Sequence, residues 1–410
     1  MSDADGLERM LTGLLEASHQ ASFEQLPRLV EEHAARAGLD EVRIYVADIQ
    51  RATLRLMGSR TTAERASAER ATAEPAAELR VDSTLAGRAF QEVRILQQGE
   101  HWWVPMLDGT ERLGMLRVSG RSERTPAIGV HLASLVALLL ISQRAHSDTY
   151  PRLIRSRPMN VAAEMQWQLM PPSTFATPEV TVGAVVEPAY EVGGDVYDYA
   201  LEGDTLHLAV FDAMGHDVSA GLTANLAMAS CRNHRRHGLD LVANGEAIEG
   251  VLIREFGRAT RFVTAIMAEL DIRTGMLTWI NRGHPLPIVV RGGRWSSTLA
   301  CPPAHPLGLD LQMPVTVCHE QLEPGDRLLI YTDGIVEAGA PDGAEFGLDR
   351  FVDFIIRHNT AELPVPETLR RLVRNVLDYH DGRLNDDATV LLVEWHGSAH
   401  EPLALRPPPA

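Results

Sequence analysis

Hydrophobic and polar positions divide the chain into two halves with different periodicities. The first half combines a helical period with strand-like runs: a helix within 5–37, strands at 41–49 and 51–58, a hairpin at 101–120 and an apolar helix at 130–142. Asp108-Gly109 occupies the predicted hairpin turn. The apolar run is shorter than a bilayer span and is interpreted as a buried helix. This order predicts a compact α/β domain over residues 1–150.

The second half changes to strands separated by glycine-rich turns. Residues 151–176 are predicted to be a linker with a helix that Pro171-Pro172 terminates, and residues 177–398 a layered domain of antiparallel strands and helices. Its clearest strands lie at 179–188, 204–212, 261–285 (a hairpin), 326–334 and 388–396; its clearest helices lie at 221–238 and 367–380. The predicted fold class is therefore α+β.

Two segments are compositionally different from these domains. Residues 61–80 are rich in Ala, Glu and Arg and predict a solvated insertion, and residues 399–410 predict a disordered tail. Neither segment has the apolar content that a packed core requires.

Charge and cysteine content limit the classes of function. The 410-residue chain has a net charge of -17, which disfavours nucleic-acid binding because that needs a basic surface. Its three cysteines are far apart and show no CxxC spacing, so neither a zinc site nor a disulfide framework is expected. This cysteine usage indicates a reducing cytosol. Without a signal peptide or a membrane-spanning run, the prediction is a cytoplasmic protein that binds neither nucleic acid nor membrane.

Four aspartates in the second half share a local context. Three lie where an apolar strand begins or ends, and the fourth follows a pair of glycines; they are Asp212, Asp333, Asp386 and Asp195. Carboxylates that converge at the rim of a sheet repel one another unless a cation compensates them. Oxygen ligands suit Mg²⁺ or Mn²⁺. A single Asp beside a glycine is commonly a turn residue, so the argument depends on the recurrence of all four.

Residues 180–395 resemble the metal-dependent serine/threonine phosphatases of the protein phosphatase 2C (PP2C) type, and most closely the bacterial stage II sporulation protein E branch. The similar segments occur in the family's order: 187–199, 211–224, 262–287, 322–338, 346–347 and 385–393. The resemblance implies an α-β-β-α sandwich of two antiparallel sheets that holds two divalent cations, Mn²⁺ or Mg²⁺. It also implies hydrolysis of phosphoserine or phosphothreonine by a water that the metals activate. No P-loop and no CxxxxxR signature is present.

The resemblance also assigns site residues. The implied metal ligands are Asp195, Asp212, the carbonyl of Ala213, Asp333 and Asp386. The four carboxylates among them would act in catalysis through the bound metals and water, with Asp212 bridging both ions. Asp387 is the alternative to Asp386. Gly193 and Gly194 are expected to leave room beside Asp195 for metal-bound water.

The acid that protonates the leaving group stays open. His216 is a candidate, although a structural role at a helix start is the simpler interpretation, and His284 is expected to turn the chain after a strand. Two positions depart from the family pattern. Asp217 stands where glycine is usual, and Arg282 stands where alanine is common.

Regulation and partners follow from resemblance as well. Residues 83–97 and the hairpin after them resemble a GAF domain, which either binds a small molecule or only dimerises. The helix within 158–170 resembles linker helices that pair in homodimers. The implied substrate is a serine-phosphorylated anti-anti-sigma factor in a partner-switching pathway. The alternative is a catalytically silent phosphatase fold that sequesters a signalling partner.

Overall fold

The computed structural model describes residues 3–58, 76–337, 346–360, 363–379 and 386–397. The chain forms two compact units that divide between Arg157 and Pro158. Most of the predicted insertion and the predicted C-terminal tail lie outside the described residues. Each unit has its own sheets and cores.

The first unit is built on one six-stranded antiparallel sheet with the order β3-β2-β1-β6-β5-β4. Its strands are β1 (Leu39–Ala47), β2 (Thr53–Leu56), β3 (Glu78–Arg80), β4 (Leu96–Gln98), β5 (His101–Asp108) and β6 (Glu111–Gly120). Its helices are α1 (Asp3–Ser18), α2 (Leu26–Ala34), α3 (Leu85–Glu92), α4 (Thr125–Arg144) and α5 (Thr149–Ile154). The last three residues of the predicted insertion, 78–80, form strand β3, which pairs with β2.

Alternate residues of β1 face two different cores, as the two-residue period of a strand requires. Ile44 packs with α1, α2 and α4, whereas Tyr45 packs with α3 on the opposite face. The sheet is therefore covered by helices on both faces.

Helix α4 is longer than the apolar run that predicted it. It extends from Thr125 to Arg144, so by length and composition it is the one helix in the described part of the chain that meets the requirements for a membrane span. The expectation that this segment is too short was wrong, because the residues flanking the run continue the helix. The helix is 56% buried over its apolar stretch and contributes Leu132, Val136 and Leu140 to the core.

The second unit contains two antiparallel sheets. The first sheet has the order β15-β12-β11-β10-β9, and the second has the order β14-β13-β16-β17-β8-β7. The strands are β7 (Thr174–Ala176), β8 (Val180–Glu187), β9 (Asp195–Glu202), β10 (Thr205–Ala213), β11 (Val263–Asp271), β12 (Met276–Arg282), β13 (Ile288–Arg291), β14 (Trp295–Thr298), β15 (Cys318–Gln321), β16 (Arg327–Tyr331) and β17 (Ala388–Trp395). Their alternating apolar residues form a shared core.

Helices cover the outer face of each sheet. They are α6 (Val161–Leu169), α7 (Val218–Arg236), α8 (Leu241–Phe256), α9 (Leu348–Thr360) and α10 (Val365–Tyr379). Helices α7 and α8 contribute to the core of the first sheet, whereas α9 and α10 pack on the second. The α+β class and the sandwich of two antiparallel sheets are confirmed.

Cys301 and Cys318 form a disulfide, with their Cα atoms 5.9 Å apart. The expectation of no disulfide was therefore wrong. Cys301 follows the edge strand β14, and Cys318 begins the edge strand β15 of the other sheet. Only the folded chain brings these positions together, and a separation of 17 residues has no local signature. The inference of a reducing compartment from cysteine usage loses its premise.

Candidate active site

The first sheet supplies two of the predicted ligands from adjacent strands. Asp195 begins β9 and lies directly opposite Asp212 near the end of β10. Asp212 in turn lies opposite Thr264 of β11, whose hydroxyl oxygen is 3.4 Å from Asp212 Oδ2. Directly opposite positions of antiparallel strands bring side chains on the same face together.

The second sheet supplies the remaining carboxylates from the ends of β16 and β17. Asp333 follows β16, and Asp386 and Asp387 precede β17, which pairs with β16. The two strands run in opposite directions, so the end of one lies beside the start of the other. Both groups of carboxylates thus meet at one end of the sandwich.

Two hydrogen bonds join the sheets at this end. The hydroxyl of Thr332 donates to Asp195 Oδ2 at 2.6 Å, and the amide of Gly194 donates to Asp387 Oδ2 at 2.5 Å. Within the second sheet, the amide of Thr389 donates to Thr332 Oγ1 at 2.9 Å. Asp195 is only 2% exposed and Asp387 only 5%. These bonds hold the start of β9 against the start of β17.

The two glycines before Asp195 allow other parts of the protein to approach their backbone closely. A Cβ at Gly193 would lie 2.5 Å from the Asp387 carboxylate, and one at Gly194 would collide with the carbonyl oxygens of Ala213 and Gly215. The glycines are therefore required by the close packing of protein atoms around them, and the predicted room for metal-bound water stays a prediction. The carbonyl of Ala213, a predicted ligand, lies against Gly194.

Burial and the charges of neighbouring acids raise the pKa values of four carboxylates in this group. Burial raises the pKa of Asp195 well above its ordinary value, and the charges of Asp212 and Asp387 raise it further. Burial and the nearby acids, Asp333 foremost, raise the pKa of Asp212 to about 7. For Asp333, burial and the charge of Asp386 raise the pKa. Burial raises the pKa of Asp387 to about 6 despite the hydrogen bond from Gly194.

The donor set fits hard divalent cations. Carboxylates crowded enough to raise one another's pKa are stabilised when a cation lies among them. The carbonyls of Ala213 and Gly215, which lie against Gly194, add neutral oxygen donors of the kind that such cations accept. Among the residues that the structure describes, no three His, Cys, Asp or Glu side chains already form a closed metal-binding group. The acids are neighbours, and their assignment as ligands stays a prediction.

His216 and Asp217, which the sequence also singles out, lie between β10 and α7. His216 is exposed, and its positive form would lower the pKa of Asp387, so it lies near the carboxylates. Asp217 is the N-cap of α7 and accepts from the amide of Ala220 at 2.8 Å. Such a cap stabilises a helix by about 1 kcal/mol. Glycine at this position would lack that side-chain bond.

Arg282 takes part in a buried network on the side of α8. It is 1% exposed and donates to Glu249 at 2.7 Å and to the carbonyl of His305 at 3.0 Å. Its charge is thereby compensated by Glu249. Asp198 is fully buried and binds Arg232 and Arg235 of α7.

Gln166 was not singled out from the sequence, yet it contacts the Asp195 segment directly. Its side-chain nitrogen donates to the carbonyl of Asp195 at 2.5 Å, and Gln166 is 2% exposed. Trp167 of the same helix α6 donates to the carbonyl of Ala189 at 2.8 Å. Gln166 lies on the buried face of α6 together with Ala162 and Ala163. A polar residue on the apolar face of a predicted helix was the sequence signal that could have identified it.

Comparison with known proteins agrees with this geometry. Residues 202–396 match the family model described as stage II sporulation protein E (SpoIIE). The second unit contains a SpoIIE-type PP2C domain. The matched range includes Asp212, Asp333 and Asp386 but begins after Asp195, and it confirms the inferred resemblance over residues 202–395. The GAF-like interpretation of residues 1–150 stays a prediction.

Several relatives of the SpoIIE-type domain are known. Protein IcfG of Synechocystis is 25% identical over 56% of this chain and 40% of its own length. Phosphoserine phosphatase RsbU of Bacillus subtilis is 20% identical over 57% of this chain and 69% of its own length. The crystal structure of the RsbU and RsbW domains of Rv1364c from Mycobacterium tuberculosis is 25% identical over 56% of this chain and 64% of that chain, with a TM-score of 0.49. The chain thus spans about two fifths of the length of IcfG.

Proposed function

We propose that the protein is a metal-dependent serine/threonine phosphoprotein phosphatase. The observation that carries the proposal is the meeting of five aspartates at one end of the sandwich in a SpoIIE-type domain. Asp195, Asp212, Asp333 and Asp386, with the carbonyl of Ala213, would hold two Mn²⁺ or Mg²⁺ ions. When bound, these ions supply a water activated for attack on phosphorus and offset charge on the phosphoryl oxygens.

The protein's own residues orient and partly neutralise this site. Thr332 donates to Asp195 Oδ2 and thereby fixes the orientation of this carboxylate. The Gly194 amide stabilises the charge of Asp387 within the buried part of the site. His216 is exposed at the edge of the carboxylates, where it can contact a phosphoprotein and donate a proton to the departing alkoxide.

The proposal extends to partners and regulation. Phosphoserine phosphatase RsbU is among the curated relatives. This supports a phosphoserine substrate; the further proposal is that the substrate is a serine-phosphorylated anti-anti-sigma factor and that it is dephosphorylated in the cytoplasm. The first unit would act as a GAF-like sensor or dimerisation domain, and helix α6 would transmit its state through Gln166 to Asp195.

The test is phosphate release from a phosphoserine peptide and from p-nitrophenyl phosphate, with and without Mn²⁺. We expect Mn²⁺-dependent turnover that falls to background in Asp212→Asn. The matched control is Asp204→Asn, because Asp204 is exposed in the β9–β10 turn and pairs only loosely with Arg273, at 3.8 Å. Full activity of Asp212→Asn would contradict the proposal. A folded wild type that binds Mn²⁺ without turnover would favour the silent binding protein.

A further inference from the structure

His284 joins the two sheets beside the carboxylate cluster. Its Nε2 lies 3.0 Å from the carbonyl oxygen of Tyr331, the last residue of β16 in the second sheet. Its Nδ1 lies 2.7 Å from the hydroxyl oxygen of Thr264 on β11 of the first sheet. One buried ring thus makes a hydrogen bond to each half of the sandwich.

The two partners determine which ring nitrogen carries the proton. A backbone carbonyl only accepts, so Nε2 is the protonated nitrogen and donates to Tyr331. Burial lowers the pKa of His284 to about 4, which keeps the ring neutral at physiological pH. Nδ1 therefore accepts the hydroxyl proton of Thr264. Rotation of the ring would break both bonds.

The backbone of His284 is also held in place. Asn281 accepts from the His284 amide at 2.8 Å and donates to its carbonyl at 2.9 Å. Between them, Gly283 has a φ of 72°, which a side chain rarely tolerates. A Cβ at Gly283 would also approach Pro306 to 2.9 Å. The turn after β12 therefore fixes both the ring and its attachment.

Each end of this bridge lies next to a predicted ligand. Thr264 lies directly opposite Asp212 in the pairing of β11 with β10, and Tyr331 lies two residues before Asp333. Asp212 belongs to the first sheet, whereas Asp333 follows a strand of the second. A change in the spacing of the sheets at this point would change the distance between the two carboxylates.

We propose that His284 is a positioning residue that, through Thr264 and the carbonyl of Tyr331, sets the separation of Asp212 from Asp333. The inference rests on the proposed function, because it concerns the same metal-binding carboxylates. Residues outside the ligand set that fix the positions of metal ligands typically account for roughly 10–100-fold in metal affinity. His284 acts on both carboxylates without being a ligand itself.

The experiment measures Mn²⁺ affinity by titration calorimetry and by electron paramagnetic resonance of the free ion, on the full-length protein. Thr264→Val removes the hydroxyl at nearly constant volume, and Thr264→Ser keeps it. We expect about tenfold weaker Mn²⁺ binding in Thr264→Val, recovery to within about threefold in Thr264→Ser, and about 10–100-fold loss in His284→Ala. Circular dichroism and thermal unfolding establish that each variant is folded.

The matched control is a second threonine–histidine pair on the same sheet. Thr278 Oγ1 lies 3.0 Å from Nδ1 of His319 at an exposed position of β12 and β15. Thr278→Val loses the same kind of bond, and we expect its Mn²⁺ affinity to match that of the wild type.

The outcomes separate this inference from the proposed function. Folded Thr264→Val and His284→Ala that bind Mn²⁺ as tightly as the wild type would overturn the positioning role, whatever the turnover. If the wild type binds Mn²⁺ without hydrolysing phosphate and the variants bind weakly, the phosphatase proposal fails while the positioning role holds. A wild type that binds no Mn²⁺ would overturn both.

Discussion

Asp386 and Asp387 are adjacent in the sequence but have different surroundings. Asp387 is buried and accepts from the Gly194 amide, whereas Asp386 is exposed and accepts from the amide of Asp387 at 2.8 Å. Asp387 therefore has a structural hydrogen bond that accounts for its position. Asp386 keeps oxygen lone pairs for a cation and adds to the negative charge around Asp212 and Asp333.

We predict that Asp386→Asn reduces Mn²⁺ affinity and turnover more than Asp387→Asn does, by at least about tenfold. The asparagine at 387 can still accept from Gly194 through its amide oxygen, so the contact between the sheets is retained. Calorimetric titration with Mn²⁺ and turnover of p-nitrophenyl phosphate measure the two effects. A larger loss in Asp387→Asn would reassign the ligand to Asp387, the alternative that the sequence leaves open.

The turn that connects β12 to β13 depends on a neutral histidine. The pKa of His284 is about 4 in the folded protein, below the ordinary value of 6.5 that applies when the chain unfolds. The unfolded chain therefore binds more protons between these pH values. The stability that His284 contributes is complete above pH 6.5 and is lost as the pH falls toward 4.

We predict that the stability difference between the wild type and His284→Gln shrinks by about 1.4 kcal/mol when the pH is lowered from 7.5 to 5.5. Urea unfolding of both proteins in metal-free buffer at each pH gives this difference. The difference is the quantity to use, because Asp195, Asp212 and Asp387 have raised pKa values and contribute with the opposite sign. A pH-independent difference would show that the ring is not held neutral.

Helix α6, which follows the first unit in the chain, contacts the backbone of the candidate site. It packs in the second unit, where Arg232 donates to the carbonyl of Leu169 at 2.6 Å and Gln166 binds the carbonyl of Asp195. A shift of this helix would therefore move the backbone that carries Asp195. This contact gives the proposed control by the first unit a physical route.

At the scale of the whole molecule, we predict that removal of residues 1–157 lowers Mn²⁺-dependent turnover, because α6 then loses the chain that precedes it. Gln166→Ala in the full-length protein should change turnover in the same direction, by up to about tenfold. Steady-state rates at saturating Mn²⁺ test both, with circular dichroism as the control for folding. An unchanged rate in the truncated protein would argue against control by the first unit.

Much of the architecture follows from local patterns. The two-residue period of the strands, the Asp108-Gly109 turn and the amphipathic helix before Tyr379 each depend on neighbours in the chain, and all were predictable. The four aspartates were found because glycines and apolar strands flank them. The short strands β13 to β15 were not predicted, because short strands depend more on tertiary packing than on their own pattern. Helix α8 was also missed, although it has 16 residues.

The sequence by itself determined the family of the second half, the sandwich class and the set of acids that the site contains. Only the tertiary structure decided which acids are buried, which one binds the Gly194 amide, and that Gln166, Thr332 and His284 support them. It also decided the pairing of Cys301 with Cys318. The physical reason is that hydrogen bonds and repulsion between carboxylates depend on distances across the two sheets. Residues more than a hundred positions apart, such as Asp195 and Thr332, come into contact only when those sheets pack.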